Sequence, residues 1–122
     1  MEKSYAPHEI ASADWEVFAL RFAECLVRQD YAEAHSMMSA GLRKQHSLSW
    51  LEAQIERLRG ETEDPLGPCH VDSSGPVRNA TRPILGAVYV TIGGGHCEAI
   101  FVAVARHNGR LEVDEILDIG RP

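Results

Sequence analysis

The sequence predicts an α+β fold in which three N-terminal helices pack on a curved antiparallel sheet. Apolar residues recur at helical spacing over residues 13–60, whereas β-branched and aromatic residues dominate the chain from residue 83 onward. The dipeptide Asn108-Gly109 lies between two apolar runs and predicts a β-hairpin, because a type I′ turn needs positive φ at both central residues. The chain is therefore expected to end in an antiparallel meander that the helices cover.

The first helix is predicted over residues 13–29. The Trp15–Leu26 segment repeats apolar residues at the i, i+3 and i+7 positions of one helical face, with Phe22 at its centre. Ser12 is the expected N-cap, because a serine hydroxyl accepts a hydrogen bond from the first helical turn. This helix is expected to bury its aromatic stripe against the sheet.

Two further helices are predicted before residue 61. Asp30 is the expected N-cap of a helix over residues 31–39, and Gly41 is the expected left-handed residue after it. Residues 42–46 are assigned to a turn or a single helical turn. The third helix is predicted to open with a capping box at Ser49-Trp50-Leu51-Glu52 and to end at Gly60.

After residue 60 the chain begins with an acidic, proline-interrupted loop. Four strands are predicted after this loop, over residues 69–74 at a sheet edge, 84–92, 97–106 and 111–119. The third strand is apolar on both faces, so it is expected to be covered on both sides. In the last strand Glu115 interrupts a face formed by Leu111, Val113, Leu117 and Ile119, and Ile116 points the other way. A bulge near Asp114–Glu115 would restore the alternation and bend the sheet.

Composition places the chain among ordinary globular proteins. Its 122 residues suit one domain, and a net charge of −6 argues against binding to nucleic acid or to an anionic membrane. No apolar run has the length of a membrane span or of a secretion signal, so a cytoplasmic location is expected. Residues 1–11 are interpreted as a flexible arm and residues 12–122 as the single domain.

Cysteine and histidine spacing predicts neither a disulfide framework nor a metal site. Cys25, Cys69 and Cys97 are odd in number and lack close pairing, so they are interpreted as small buried hydrophobic residues. The neighbours His70 and His96 complete two Cys/His pairs. Adjacent strand residues point to opposite faces, so one face collects at most one ligand from each pair. No metal and no cofactor are expected.

The order of elements resembles the nuclear-transport-factor-2-like superfamily, which has the cystatin-like α+β fold. The resemblance rests on the Trp15–Leu26 stripe, on Asp30-Tyr31-Ala32-Glu33-Ala34 at the start of the second helix, and on the ending from Arg110 to Ile116. It covers residues 12–120 and implies a small bacterial member. Such a member would have a cone-shaped pocket between helices and sheet, and often forms a homodimer through the outer face of the sheet.

The resemblance also implies candidate site residues. The aromatic residues expected to line the cone are Trp15, Phe22, Tyr31, Tyr89 and Phe101. Isomerase-type members place a carboxylate base and an oxyanion donor inside an apolar cone. The candidates for such chemistry on this chain are Asp72, His70 and Glu98, and none of them aligns with a catalytic position of the family.

Three functional readings follow from the sequence. The first is a non-catalytic binding module for a small apolar ligand or a protein partner, such as an immunity or accessory protein, and the acidic charge suits a basic partner. The alternative is a cofactor-independent isomerase, dehydratase or cyclase that uses a pocket carboxylate. The third is a structural subunit whose sheet face is buried against another chain.

Overall fold

A computed structural model of the chain describes residues 13–60, 66–75, 84–93 and 98–120. Within these ranges the fold is α+β, which confirms the predicted class. The strands form one antiparallel sheet in the order β1-β2-β3-β4, so β1 and β4 are its edges. The elements are α1 (Asp14–Val27), α2 (Tyr31–Ser36), α3 (Ala40–Gln45), α4 (Leu48–Arg59), β1 (Cys69–Gly75), β2 (Ile84–Ile92), β3 (Glu98–His107) and β4 (Arg110–Gly120).

Helix α1 begins differently from the prediction. Its N-cap is Ala13, which lacks a side-chain acceptor, and the predicted cap Ser12 lies outside the described residues. The backbone N–H of Ala13 instead donates to the Glu16 carboxylate at 2.9 Å. A carboxylate in the first turn also interacts favourably with the helix dipole. The apolar stripe is confirmed, because Phe22 and Leu26 are fully buried.

The described residues contain four helices where three were predicted. Residues 42–46, predicted as a turn or a single helical turn, lie largely in α3. This helix starts after Ser39, whose hydroxyl accepts a hydrogen bond from the N–H of Leu42 at 3.2 Å. Gly41 therefore lies inside a helix and does not adopt the predicted left-handed conformation. Helix α2 ends instead at Ser36, and its C-cap residue Met37 has a right-handed conformation. The predicted Asp30 cap is confirmed, since its carboxylate accepts from the Glu33 N–H.

Helix α4 starts two residues earlier than predicted. Ser47 is its N-cap, and the Ser47 hydroxyl accepts a hydrogen bond from the N–H of Trp50 at 3.1 Å. The predicted cap, Ser49, lies inside the first turn. The predicted end is confirmed, because Gly60 follows the last helical residue with φ of +65°.

The predicted β3–β4 hairpin is confirmed. Asn108 and Gly109 have φ of 53° and 79°, the positive values that a type I′ turn requires. In the register, Val113 pairs with Val104 whereas Glu115 pairs with Ala103, so Asp114 is the extra residue of the predicted bulge.

A second bulge in β4 was not predicted. Ile116 pairs with Val102 and Asp118 pairs with Phe101, which leaves Leu117 as an extra residue. Ile116 therefore joins Val113 and Ile119 on the helix-covered face, in place of the predicted Leu117. Leu117 is instead 41% exposed. Two bulges in one strand increase the local twist and bend of the sheet edge.

The helices cover one face of the sheet, called here the inner face. Its β2 and β3 residues belong to one core with residues of α1 and α4, and the larger fully buried members of this core include Phe22, Leu26, Leu51, Ile55, Val88, Val90, Ile100, Val102 and Val104. Alanines on the opposite face of β3 are also buried, as predicted for a strand that is apolar on both faces. Among the described residues, no helix is long and apolar enough to cross a membrane.

Candidate functional site

The three predicted catalytic candidates do not meet in one site. His70 pairs with Thr91, and Thr91 pairs with Ala99, so all three lie on the face of the sheet away from the helices. Glu98 pairs with Ile92 on the inner face and is only 5% exposed. Glu98 and His70 therefore point to opposite sides of the sheet.

Asp72, the third candidate, occupies a bulge in the edge strand β1. Val71 pairs with Val90 and Ser73 pairs with Tyr89, which leaves Asp72 as the extra residue. Its side chain is exposed. A charged residue in a bulge is a common way to blunt a sheet edge against unwanted pairing.

The predicted pocket aromatics divide between the two faces. Phe22 belongs to the buried core, and Trp15 and Tyr31 are half-buried against it. Tyr89 and Phe101 lie on the other face of the sheet, where their ring centroids are 5.6 Å apart at an interplanar angle of 60°. The five side chains therefore do not line one common cavity. Ligand binding by any of them stays a prediction.

The hydroxyl of Tyr31 is buried between α2 and the core, and among the described residues it has no hydrogen-bond partner. Burial raises the pKa of Tyr31 above its ordinary value, and the carboxylates of Glu56 and Glu52 raise it further. A phenol with a raised pKa is fully protonated near neutral pH. Tyr31 is therefore unsuited to act as a base.

The sheet face away from the helices, called here the outer face, has an apolar centre. Tyr89 pairs with Phe101, and the neighbouring positions are small residues of β2 and β3: Ala87, Ala99, Ala103 and Ala105. None of these outer-face residues belongs to the core that the helices cover. The aromatic pair is half-buried.

An acidic row borders this apolar centre along β4. Glu112 pairs with Ala105, Glu115 with Ala103 and Asp118 with Phe101, so all three carboxylates lie on the outer face. The two bulges produce this arrangement, because each extra residue shifts the alternation by one. In the sequence these acidic residues recur every third position. Only the pairing of β4 with β3 shows that this spacing places all three on one face.

A cleft of about 480 Å³ adjoins the acidic row, between α3 and β4. The described residues of its wall include Glu112, the bulged Asp114, Glu115, Gln45 and His107. The cleft is held at its base by a parallel bridge between Met38 and Val113. The backbone N–H of Ser39 donates to the Val113 carbonyl at 2.8 Å, and the Val113 N–H donates to the Met37 carbonyl at 2.8 Å.

The described residues also line two smaller clefts. One of about 280 Å³ separates the C-terminal end of α1 from the start of β1 and is lined partly by Cys69. Burial raises the pKa of the Cys69 thiol to about 11, so it is not a ready nucleophile. The other, of about 200 Å³, lies between α1, α2 and the start of β4.

No metal centre is built by the described residues, because no three His, Cys, Asp or Glu side chains gather closely enough to hold an ion. Cys69 is buried on the inner face, whereas its neighbour His70 is exposed on the outer face. The predicted pair His96 and Cys97 lies outside the described residues.

Comparisons with family models, curated proteins and solved structures return no match for this chain. The resemblance to the nuclear-transport-factor-2-like superfamily therefore stays a prediction from the order of elements. Functional proposals for this chain rest on the geometry and charge of its own residues.

Proposed function

We propose that this chain is a non-catalytic, nuclear-transport-factor-2-like interaction module that binds a basic protein partner through the outer face of its sheet. The observation that carries the proposal is the placement of Glu112, Glu115 and Asp118 in one row beside the Tyr89–Phe101 pair. An apolar centre with a charged border is the usual anatomy of a protein–protein interface.

The centre of the outer face supplies the contact area. Tyr89 and Phe101 are half-buried, and aromatic side chains contribute large apolar area at a low cost in side-chain entropy. Because the residues around them are alanines, the two rings project further from this face than their neighbours. Leu117, which the second β4 bulge leaves 41% exposed, adds apolar surface beside Asp118.

The acidic border supplies the choice of partner. Three carboxylates along one strand add to a net charge of −6, so they attract a partner that carries Lys and Arg in a matching row. Such complementarity speeds association and weakens as salt screens the charges. A second copy of this chain is the competing occupant, and it would bring the same acidic border to the interface.

The inner face favours this reading over binding of a small apolar ligand. The side chains between helices and sheet include Phe22, Leu51, Ile55, Val90 and Ile100, each fully buried. A core packed in this way has few voids larger than a water molecule. The candidates for acid–base chemistry also lie on opposite faces, so we propose no catalytic role for them.

The proposal is tested with a charge reversal on each side of the molecule. Asp118→Lys changes the acidic border, and Glu52→Lys makes the same charge change at an exposed position of α4. Each variant and the unchanged chain are tagged, expressed in the native host and recovered at low salt. The proteins that copurify are quantified by mass spectrometry.

We expect one basic protein to copurify with the unchanged chain and with Glu52→Lys, and to be reduced about tenfold or more with Asp118→Lys. The purified pair should bind in a salt-dependent manner. Equal recovery of the basic protein with both variants would overturn the proposal. The proposal would also be overturned if Asp118→Lys weakened only the association of this chain with a second copy of itself.

A further inference from the structure

The small cleft between α1, α2 and the start of β4 contains the two arginines that have no protein partner among the described residues. Arg21 reaches it from α1 and Arg110 from β4. Neither guanidinium forms a hydrogen bond or an ion pair in the described part of the chain. The other arginines of these ranges all do: Arg28, Arg43, Arg57, Arg59 and Arg106.

This placement is unusual for a chain with a net charge of −6. Acidic side chains outnumber basic ones, so an exposed guanidinium has many candidate partners on the protein surface. Arg21 and Arg110 instead share a cleft of about 200 Å³, and Glu33 is the one acidic residue among the described residues that line it. The cleft therefore has a positive balance on an otherwise negative molecule.

The floor of the cleft is apolar. Phe18 and Leu111 are half-buried, and Met37 is buried at the C-terminal end of α2. These side chains accept an apolar body but offer nothing to a compact, fully hydrated ion. The hydroxyl of Ser36 donates to the Glu33 carbonyl at 2.6 Å, so its proton is not available to a ligand.

From this combination we propose that the cleft binds a small carboxylate attached to an apolar body. The guanidinium is planar and pairs with a carboxylate through two parallel hydrogen bonds, which favours it over a point charge. The carboxylate lies between Arg21 and Arg110, and the apolar body covers Phe18, Met37 and Leu111. Glu33 opposes binding of any anion.

The described residues that line this cleft include neither the Tyr89–Phe101 pair nor the acidic row, so the site is separate from the proposed interface. The volume of about 200 Å³ admits a fragment rather than a large ligand.

The test is a titration of the isotopically labelled full chain, followed by two-dimensional amide NMR, with hexanoate as the probe. Hexanamide has the same body without the charge, and inorganic phosphate has charge without the body. Arg21→Gln and Arg110→Gln each remove one guanidinium. Lys44→Gln removes one positive charge from a helix position that does not line the cleft and serves as the matched control.

We expect hexanoate to shift the amide signals of Phe18, Ser36 and Leu111, and to bind about tenfold more tightly than hexanamide or phosphate. Each arginine variant should weaken hexanoate about tenfold, whereas Lys44→Gln leaves the affinity unchanged. Glu33→Gln should strengthen it, and added salt should weaken it.

Several outcomes would overturn the proposal. Equal binding of hexanoate and hexanamide would leave only an apolar contact, and phosphate binding as tightly as hexanoate would remove the apolar body from the recognition. Equal weakening in Lys44→Gln would reduce the effect to general charge. Amide spectra of the variants that match the unchanged chain away from the cleft exclude loss of folding as the cause.

Discussion

The indole of Trp15 lies directly against the backbone of Gly86. A Cβ added at Gly86 would lie 2.6 Å from Cη2 of the indole and 2.8 Å from the carbonyl oxygen of Gly75. Glycine in β2 therefore allows α1 to approach the sheet closely. This contact sets the distance between the first helix and the sheet beside the β1–β2 pairing.

Gly86→Ala should destabilise the fold by about 1–3 kcal/mol, because overpacking forces the indole or the backbone to move. Gly41→Ala is the matched control: it lies in α3 with nothing within 4 Å of its added Cβ. That change should stabilise by about 0.5–1 kcal/mol. Urea unfolding measures both variants, and similar stabilities for the two would contradict the packing described for Trp15.

Neighbouring residues test the second bulge of β4. Ile116 faces the core, whereas Leu117 is the exposed extra residue. Ile116→Ala should cost about 1–3 kcal/mol in the free energy of unfolding, and Leu117→Ala less than about 0.5 kcal/mol. The reverse order would place Leu117 inside, as simple strand alternation predicts.

The ion pair between Asp14 and Arg106 links the start of α1 to the end of β3. The Arg106 guanidinium donates to the Asp14 carboxylate at 2.8 Å, and this bond lowers the pKa of Asp14 below its ordinary value of 3.8. Because the folded pKa is the lower one, the pair stabilises the fold above pH 3.8. That contribution is lost as pH falls through the folded pKa.

Carbon-detected NMR of the Asp14 carboxyl should show this low pKa, and Arg106→Gln should return it toward 3.8. High salt should also move the pKa of Asp14 toward 3.8, because both side chains are exposed and salt screens their attraction. An Asp14 pKa that does not respond to Arg106→Gln would show that the two groups do not pair in solution.

The thiol of Cys69 should be slow to react. Its pKa is raised to about 11 by burial, so at pH 8 it is a neutral thiol with little access to reagent. Iodoacetamide labelling at pH 8, resolved by peptide mass spectrometry, should modify Cys69 slowly in the folded chain and rapidly in urea. Fast labelling without denaturant would contradict the burial of this residue.

The same pKa predicts a loss of stability in alkali. The folded value exceeds the ordinary value of 9.0, so the contribution of Cys69 is complete below pH 9 and declines as pH rises toward 11. Cys69→Ala lacks the thiol and should lose less stability than the unchanged chain over this interval. If the stabilities of Cys69→Ala and the unchanged chain fall equally over this interval, the loss of stability comes from groups other than Cys69.

The strands were predictable because their signals are local. The run from Ile84 to Ile92 is apolar and β-branched, and its predicted bounds match β2. Asn108-Gly109 predicts a type I′ turn, because both residues tolerate the positive φ values that this turn needs. The sequence predicted only a turn or a single helical turn where α3 forms, because six residues carry little periodicity and the start of the helix depends on the Ser39 hydroxyl.

The candidate surface was harder to predict than the fold. The acidic row exists only because Asp114 and Leu117 are extra residues in the β3–β4 register. Strand alternation alone cannot locate a second bulge, because pairing with β3 decides where it falls. Arg21 and Arg110 are far apart in the sequence, and only the packing of α1 against the hairpin brings them to one cleft.

The most direct test of the proposed function is site-specific photo-crosslinking in the native host, with p-benzoylphenylalanine at position 101 or at position 53. Position 101 is on the outer face beside Asp118, and position 53 is exposed on α4. We expect position 101 alone to attach to a different protein, through a peptide rich in Lys and Arg. Attachment at position 53 alone, equal attachment at both, or attachment at position 101 only to a second copy of this chain would contradict binding of a basic partner by the outer face.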